Sequence, residues 1–143
     1  MKTQKIENIE LKYLTVDDYE ELKSTTLEAY GGVLNSYWKK HHIEDLTRKF
    51  PEGQVVIKID GDIAGCALSI IVDFDTIDDE HTYEDIIAGE SFKNHDENGD
   101  VLYGIDVFIK PKYRGLRLGR RLYDYRKEVC ENLNLKGIVF VFS

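Results

Sequence analysis

Hydrophobic positions follow two different periods along the chain, and each period predicts one kind of secondary structure. Residues 54–59 and 63–74 are rich in apolar side chains, and the turn sequence Asp60-Gly61-Asp62 joins them. This pattern predicts a β-hairpin. Nearer the C-terminus, apolar residues return every three or four positions, as on one face of an α-helix. They are Leu118, Leu122, Tyr125, Val129 and Leu133.

The remaining periodic segments add three strands and two helices. Thr15 followed by acidic residues is typical of a helix N-terminus, which predicts a helix over 15–29 that ends before the glycine pair. A second helix is predicted over 37–50, with Trp38 on its buried face. Alternating or apolar runs predict the further strands 6–14, 101–110 and 137–142.

A long polar insertion, residues 75–100, separates the hairpin from the next strand, and a helical turn is expected within it at 83–88. The order of elements is therefore β-α-α-β-β-β-α-β, which indicates an α/β fold. With 143 residues, the chain has the length of one domain, and we expect a single domain over 1–143.

Composition excludes several classes of protein. Hydrophobic residues make up 42% and charged residues 32% of the chain, which is typical of neither a disordered nor a membrane-embedded protein. No apolar run reaches the length of a membrane-spanning helix, and the N-terminal residues lack the apolar core of a signal peptide. We therefore expect a cytoplasmic protein, in which Cys66 and Cys130 are buried free thiols.

Charge is unevenly distributed. The formal net charge is −8, which argues against a general nucleic-acid-binding protein. Acidic side chains dominate residues 73–100, whereas basic ones dominate residues 110–127. The basic segment suits an anionic cofactor. Two interpretations of the acidic segment stay open: a solvated loop, or a surface that draws a cationic amine towards the same cleft.

The most informative stretch is the end of the strand before the last helix, together with the loop that follows. Pro111 ends the strand, and the loop contains Gly115, Gly119 and several arginines before the helix continues. A helix N-terminus presents backbone N–H groups without intrahelical partners, and it binds phosphate well. Glycine lets an anion approach the backbone closely, and arginine side chains pair with phosphate oxygens. The sequence lacks the Gly-Lys-Ser/Thr of a P-loop and the G-x-G-x-x-G of a dinucleotide fold.

This stretch resembles the Arg-x-x-Gly-x-Gly/Ala loop of the GNAT superfamily, the acetyl-CoA-dependent N-acetyltransferases. The matching residues are Arg114-Gly115-Leu116-Arg117-Leu118-Gly119, after a lead-in that runs from Val107 to Tyr113. Arg117 departs from the pattern, since many members carry glycine or another small or polar residue there. The resemblance implies a three-layer fold, in which helices flank a mixed, mostly antiparallel sheet.

A more specific resemblance concerns segments 65–73, 81–85 and 100–104. They are similar to the N-terminal acetyltransferase domain of bacterial proteins that fuse it to a carbon-nitrogen hydrolase. No hydrolase part is present here, and the helix and strands that end the GNAT fold after strand 137–142 are also missing. The resemblance thus implies a C-terminally shortened domain. Its last strand would lie near an exposed edge, so a homo-oligomer is expected.

The resemblance also implies where acetyl-CoA would bind as acyl donor. The strand before the loop would bulge and separate from its neighbour, so that its backbone holds the pantetheine arm and an N–H near Phe108 polarises the thioester carbonyl. The pyrophosphate would lie on the loop and the helix N-terminus. The implied cofactor-binding residues are Val107, Phe108, Ile109, Arg114, Gly115, Leu116, Arg117, Leu118, Gly119 and Arg120.

Acetyl transfer to an amine also needs a base and an acid. Asp106 is the carboxylate inside this strand, and alternation predicts that it shares a face with Phe108, opposite Tyr103. Asp106 is therefore the candidate base, and the alternative interpretation is a structural, hydrogen-bonded acid. The family places its acid, a tyrosine, on the missing helix. Two alternatives follow: another tyrosine, with Tyr103 as the candidate acid, takes that role here, or this chain is a poor catalyst. Fallback bases acting through water are Asp73, Asp75 and Glu44.

Two histidines in the acidic insertion were considered as metal ligands. His81 and His95 are too far apart for a recognisable ligand spacing, so we interpret them as solvated loop residues and expect a metal-free site. The function predicted is transfer of an acetyl group from acetyl-CoA to a primary amine of a small molecule or peptide, without nucleic acid or membrane. The alternative is a non-catalytic acyl-CoA-binding or regulatory module of a former two-domain amidase.

Overall fold

The computed structural model describes residues 6–33, 37–76, 92 and 95–139. Its elements follow the predicted order, and short 3₁₀ turns connect several of them. The strands are β1 (Ile9–Tyr13), β2 (Val55–Ile59), β3 (Asp62–Val72), β4 (Val101–Ile109) and β5 (Gly137–Val139). The helices are α1 (Tyr19–Ala29), α2 (Lys40–Lys49) and α3 (Leu118–Asn132).

The five strands form one mixed sheet in the order β1-β2-β3-β4-β5. The first three pairings are antiparallel and the last, between β4 and β5, is parallel. The predicted hairpin connects β2 to β3 through Asp60 and Gly61, both of which have positive φ. The predicted fold class, a mostly antiparallel sheet flanked by helices, is thus confirmed. The helical turn expected at 83–88 lies outside the described residues.

The helices cover the two faces of the sheet. The face under α1 and α2 forms the largest core cluster, where Leu22, Ile43 and Leu46 pack on strand residues such as Ile70. The opposite face packs against Leu118 and Leu122 of α3. Cys66 and Cys130 are buried free thiols, as predicted. In the part of the chain that the structure describes, no helix is long and apolar enough to cross a membrane.

Helix α2 corrects one prediction about Trp38. The helix begins at Lys40, so Trp38 precedes it instead of lying on its buried face. The indole is half-buried and packs against the α1/α2 core from the connecting segment. From this position its N–H donates a hydrogen bond to Asp106 of β4.

His95 corrects a second prediction, since it is not a solvated loop residue. Its Nδ1 accepts a hydrogen bond of 3.1 Å from the backbone N–H of Ile71, and its ring stacks on Phe50 with 5.3 Å between ring centroids. Burial lowers the pKa of the imidazole. Within the described ranges, no group of three His, Cys, Asp or Glu side chains is placed to hold a metal ion.

Strand β4 contains a bulge that changes which side chains share a face. Leu68 of β3 pairs with Asp106 and Ser69 pairs with Gly104, so Ile105 is an extra residue on β4. Because Tyr103 pairs with Ile70, on the same face of β3 as Leu68, Tyr103 and Asp106 lie on one face. The strict alternation predicted from the sequence, with Tyr103 opposite Asp106, is therefore wrong.

Candidate functional site

The loop between β4 and α3 is fixed at its start by a buried polar anchor. After β4, the 3₁₀ turn Pro111–Tyr113 carries Tyr113 into the core. The Tyr113 hydroxyl donates a hydrogen bond of 2.9 Å to Asp62, and Lys110 Nζ lies 3.2 Å from the same carboxylate. Burial tends to raise the pKa of Asp62, but the hydrogen bonds it receives hold that pKa below its ordinary value. The strand end and the loop start therefore have a defined position.

Residues 114–120, here called the anion loop, turn the chain sharply into α3. Gly115 has φ = 90° and Arg117, the residue before the helix, has φ = 61°. Left-handed backbone favours glycine. The structure thus gives a physical reason why glycine suits the position of Arg117, where this chain departs from the family pattern.

The backbone N–H groups of residues 115–120 have no hydrogen-bond acceptor among the described residues. The first helical hydrogen bond of α3 runs from the N–H of Arg121 to the carbonyl of Arg117. An added Cβ at Gly115 or at Gly119 would meet no atom within 4 Å. Such a run of free donors at a helix N-terminus fits a phosphate group.

The side chains of the anion loop differ in their burial and in their partners within the protein. Leu118 is buried in the α3 core, so only its backbone faces the loop, whereas Leu116 is exposed. Arg114 donates a hydrogen bond of 3.1 Å to the carbonyl of Ala29, at the end of α1. Arg117 and Arg120 are exposed, and Arg120 lies 3.3 Å from Asp124 one turn along the helix. Two of the predicted phosphate ligands thus also have partners within the protein.

The outer edge of β4 is paired with β5 before the bulge, but among the described residues it has no partner after the bulge. The described part of β5 pairs only with Val101, Leu102 and Tyr103. Beyond the bulge, residues 105–109 have no neighbour on that side within the described ranges, and the side chain of Val107 is 45% exposed. An open strand edge offers N–H and C=O groups to an extended ligand. Among the described residues, the predicted pantetheine position, the backbone of Val107, Phe108 and Ile109, therefore has no strand paired on this side.

Asp106 lies directly after the bulge, and two aromatic side chains hold its carboxylate. The hydroxyl of Tyr30 donates to Oδ1, and the indole N–H of Trp38 donates to Oδ2 over 3.0 Å. A carboxylate has two lone pairs on each oxygen, so Asp106 keeps acceptor capacity for a further proton donor. Both predicted alternatives, base and hydrogen-bonded structural acid, are compatible with these contacts.

Aromatic rings surround this carboxylate. The ring centroid of Tyr30 lies 5.9 Å from that of Phe108, and the ring of Trp38 lies 5.7 Å from that of Phe92. Burial and the nearby charge of Asp106 raise the pKa of the Tyr30 phenol well above its ordinary value. We call Tyr30, Trp38, Asp106 and Phe108 the carboxylate pocket.

Arg126 of α3 supports the bulge from the opposite face of the sheet. Its side chain is buried, and Nη2 donates to the carbonyl oxygens of Leu68 and Asp106 over 2.8 and 2.9 Å. These carbonyls flank the register shift, where the β3–β4 ladder is irregular. One guanidinium therefore connects the helix of the anion loop to the backbone of Asp106.

Sequence reasoning missed Tyr30, Trp38 and Arg126. The first two come from the end of α1 and the segment before α2, and no local pattern marks them as partners of Asp106. Arg126 could have been found, since it is four positions after Leu122 and three before Val129 on the apolar face of the helix.

Tyr103, the predicted acid, is fully buried beside β5, and among the described residues its hydroxyl has no hydrogen-bond partner. Burial raises the pKa of its phenol. Of the fallback bases, Glu44 is exposed on α2, while Asp73 accepts a hydrogen bond from the backbone N–H of Asp75. The roles of these residues stay predictions.

Comparison with known proteins agrees with this geometry. The model of the acetyltransferase (GNAT) family matches residues 18–142. The probable hydrolase YhcX of Bacillus subtilis is 36% identical over 138 residues, which are 96% of this chain but 26% of that protein. The uncharacterized N-acetyltransferase YkwB of the same organism is 28% identical over 138 residues, which are 95% of this chain and 61% of that protein. The chain thus spans only part of the length of either relative.

Solved structures share the fold at lower identity. The loading GNATL domain of CurA from Lyngbya majuscula has a TM-score of 0.78 at 21% identity, covering 94% of this chain and 65% of that one. The GNAT-like decarboxylase GphF, solved in complex with isobutyryl-CoA, has a TM-score of 0.66 at 14% identity, covering 85% and 58%. With the family model matched over most of its length, the chain belongs to the GNAT acetyltransferase family.

Proposed function

We propose that this protein transfers an acetyl group from acetyl-CoA to a primary amine of a small molecule or peptide. The observation that carries the proposal is the run of unpartnered N–H groups at residues 115–120, which continues from the open edge of β4. Phosphate donors and an open strand edge in sequence suit a ligand with a pyrophosphate and an extended amide arm. The family membership and the relative named as an N-acetyltransferase support the same reaction class.

Two neighbouring groups of residues would bind the donor and carry out the transfer: the anion loop and the C-terminal half of β4 that precedes it. The N–H groups of the anion loop, with Arg117 and Arg120 close by, would hold the pyrophosphate, and the backbone of 107–109 would hold the pantetheine. When bound, acetyl-CoA supplies an activated thioester. The N–H of Phe108 would polarise its carbonyl, and Asp106 would accept a proton from the attacking amine.

A specific observation supports a second candidate function. One relative is described as a probable hydrolase, and this chain matches only 26% of it. A domain of this family can therefore form part of a larger protein with another activity. In that case the chain would bind an acyl-CoA as a regulatory module without transferring the acyl group.

The cytoplasmic location and the homo-oligomer predicted from the sequence also remain proposals. Strand β5 is the last strand of the described sheet, and edge strands pair readily with other copies. Light scattering on the purified protein would give the mass in solution, and a monomeric mass would exclude the oligomer.

Calorimetric titration with acetyl-CoA tests the shared part of both functions, with ATP and NAD as controls. We expect binding of acetyl-CoA that neither control reproduces. A panel of primary amines, with release of the free thiol as the readout, then separates the two candidates. Thiol release that depends on an amine supports the transferase, whereas tight binding without any release supports the binding module. Equal affinity for ATP would contradict both.

A further inference from the structure

We infer that Tyr30 is a catalytic residue of the proposed transfer, the acid that protonates the departing sulfur while Asp106 returns a proton to it. The inference rests on the proposed function and adds a residue that sequence reasoning did not find. It also places the acid on the segment after α1, away from the strands that hold the cofactor.

The position of the Tyr30 hydroxyl carries the inference. It donates a hydrogen bond to Oδ1 of Asp106, while the ring packs 5.9 Å from the ring of Phe108. In the proposed function, the backbone of Phe108 faces the acyl group and Asp106 faces the amine. Tyr30 therefore contacts the carboxylate of the proposed base and the ring of the residue whose backbone N–H would polarise the thioester.

Access distinguishes Tyr30 from Tyr103. Tyr30 is 40% exposed and its hydroxyl contacts Asp106, whereas Tyr103 is 0% exposed. Tyr103 pairs with Ile70 and Val139 in the sheet, before the bulge, and no described residue contacts its hydroxyl through a hydrogen bond. A proton donor must reach the reacting atoms within hydrogen-bonding distance. Tyr30 meets this requirement without any opening of the core.

A hydrogen bond from Arg114 connects the anion loop to the segment that carries Tyr30. Arg114 of the anion loop donates a hydrogen bond of 3.1 Å to the carbonyl of Ala29, the residue before Tyr30. The loop that would hold the phosphates is thus bonded to the backbone that carries the phenol.

The proton balance is complete with these two residues. As the amine nitrogen bonds to the acetyl carbon, Asp106 accepts one proton from that nitrogen. As the carbon–sulfur bond breaks, Tyr30 gives its hydroxyl proton to the sulfur, and the protonated Asp106 passes its proton along the hydrogen bond to Tyr30. Both residues return to their starting states. An amine that arrives as an ammonium loses one proton to solvent before the attack, because only the neutral nitrogen has a lone pair for the acetyl carbon. Burial beside Asp106 raises the pKa of Tyr30, so the phenol holds its proton until this exchange.

The test compares Tyr30→Phe with Tyr103→Phe, each of which removes one hydroxyl. Tyr13→Phe is the control, because Tyr13 is an exposed tyrosine on β1, at the far edge of the sheet. Two measurements are made on each protein: turnover with acetyl-CoA and a working amine, and calorimetric affinity for CoA and for desulfo-CoA, which lacks the sulfur. The second measurement reports contact with the sulfur without any reaction.

We expect Tyr30→Phe to lower kcat by about 100-fold, the range of general acid catalysis, while the KM for acetyl-CoA changes less than about twofold. We also expect the wild type to bind CoA several-fold more tightly than desulfo-CoA, and Tyr30→Phe to lose this preference. A variant that keeps wild-type kcat and the preference, in an active enzyme, would overturn the role of Tyr30 alone. Loss of both in Tyr103→Phe instead would assign the acid to Tyr103. Absence of any transfer by the wild type would refute the proposed function, and this inference with it.

Discussion

The anion loop follows the C-terminal end of β4, and Asp106 of the carboxylate pocket lies three residues before that end, yet the two regions are built in different ways. The loop takes its shape from a few consecutive residues, with a positive φ at Gly115 and at Arg117 and a helix start at Leu118. The pocket assembles around Asp106 from Tyr30 and Trp38, which are 76 and 68 positions away in the chain. The proposed cofactor site is thus locally encoded, whereas the proposed acceptor side depends on how the α1–α2 segment packs on the sheet.

Asp106→Asn gives the largest expected effect and separates the two regions. The amide has nearly the shape of the carboxylate but cannot act as a base, so we expect kcat to fall by about 100-fold or more. Affinity for acetyl-CoA, measured by calorimetry, should stay within about twofold, since the anion loop is unchanged. Asp45→Asn, on the surface of α2, is the matched control. Equal activity of both variants would show that Asp106 is only structural.

Gly119→Val is expected to weaken ligand binding at the anion loop. Its Cβ would meet no atom of the protein within 4 Å, so the fold should tolerate the change, while the side chain would fill the space in front of the free N–H groups. We expect at least ~10-fold weaker binding of acetyl-CoA, equivalent to about 1.4 kcal/mol. Gly137→Val is the control, because its Cβ also meets no atom within 4 Å but lies on β5. Similar affinities in both variants would contradict the phosphate site.

The same contrast explains how far the sequence could predict this protein. The strand, the loop and the helix after it could be read because each depends on neighbouring residues, and the hairpin turn at Asp60 and Gly61 is local in the same sense. The bulge at Ile105 could not be predicted from the sequence, since it arises from the pairing of β4 with β3. That single extra residue reversed the predicted relation of Tyr103 to Asp106. The hydrogen bonds that Tyr30 and Trp38 donate to Asp106 could not be predicted either, because tertiary packing brings these residues together.

Arg126→Met tests whether the two regions are coupled through the bulge. The substitution removes the donor to two buried carbonyl oxygens, and we expect the free energy of unfolding to fall by about 1–3 kcal/mol in urea titrations. Because the bulge positions Asp106, kcat should fall more than acetyl-CoA affinity. Lys127→Met, which removes the next and exposed cation, controls for charge. If affinity and kcat fell equally, Arg126 would serve the whole fold instead of the bulge.

Arg117→Gly has the smallest expected effect. It separates the contribution of the Arg117 backbone from that of its guanidinium to ligand binding by the anion loop. Relief of the left-handed backbone at φ = 61° should stabilise the fold, and the greater freedom of glycine in the unfolded chain offsets part of that gain. The net increase in unfolding free energy should be roughly 0.5–1 kcal/mol. If the guanidinium also pairs with phosphate, acetyl-CoA affinity should fall several-fold in the same variant. Arg117→Lys keeps both the charge and the strained backbone, so it should leave stability and affinity near wild type. A variant that gains stability without losing affinity would show that Arg117 contributes only its backbone N–H, and that the loop recognises its ligand through the main chain.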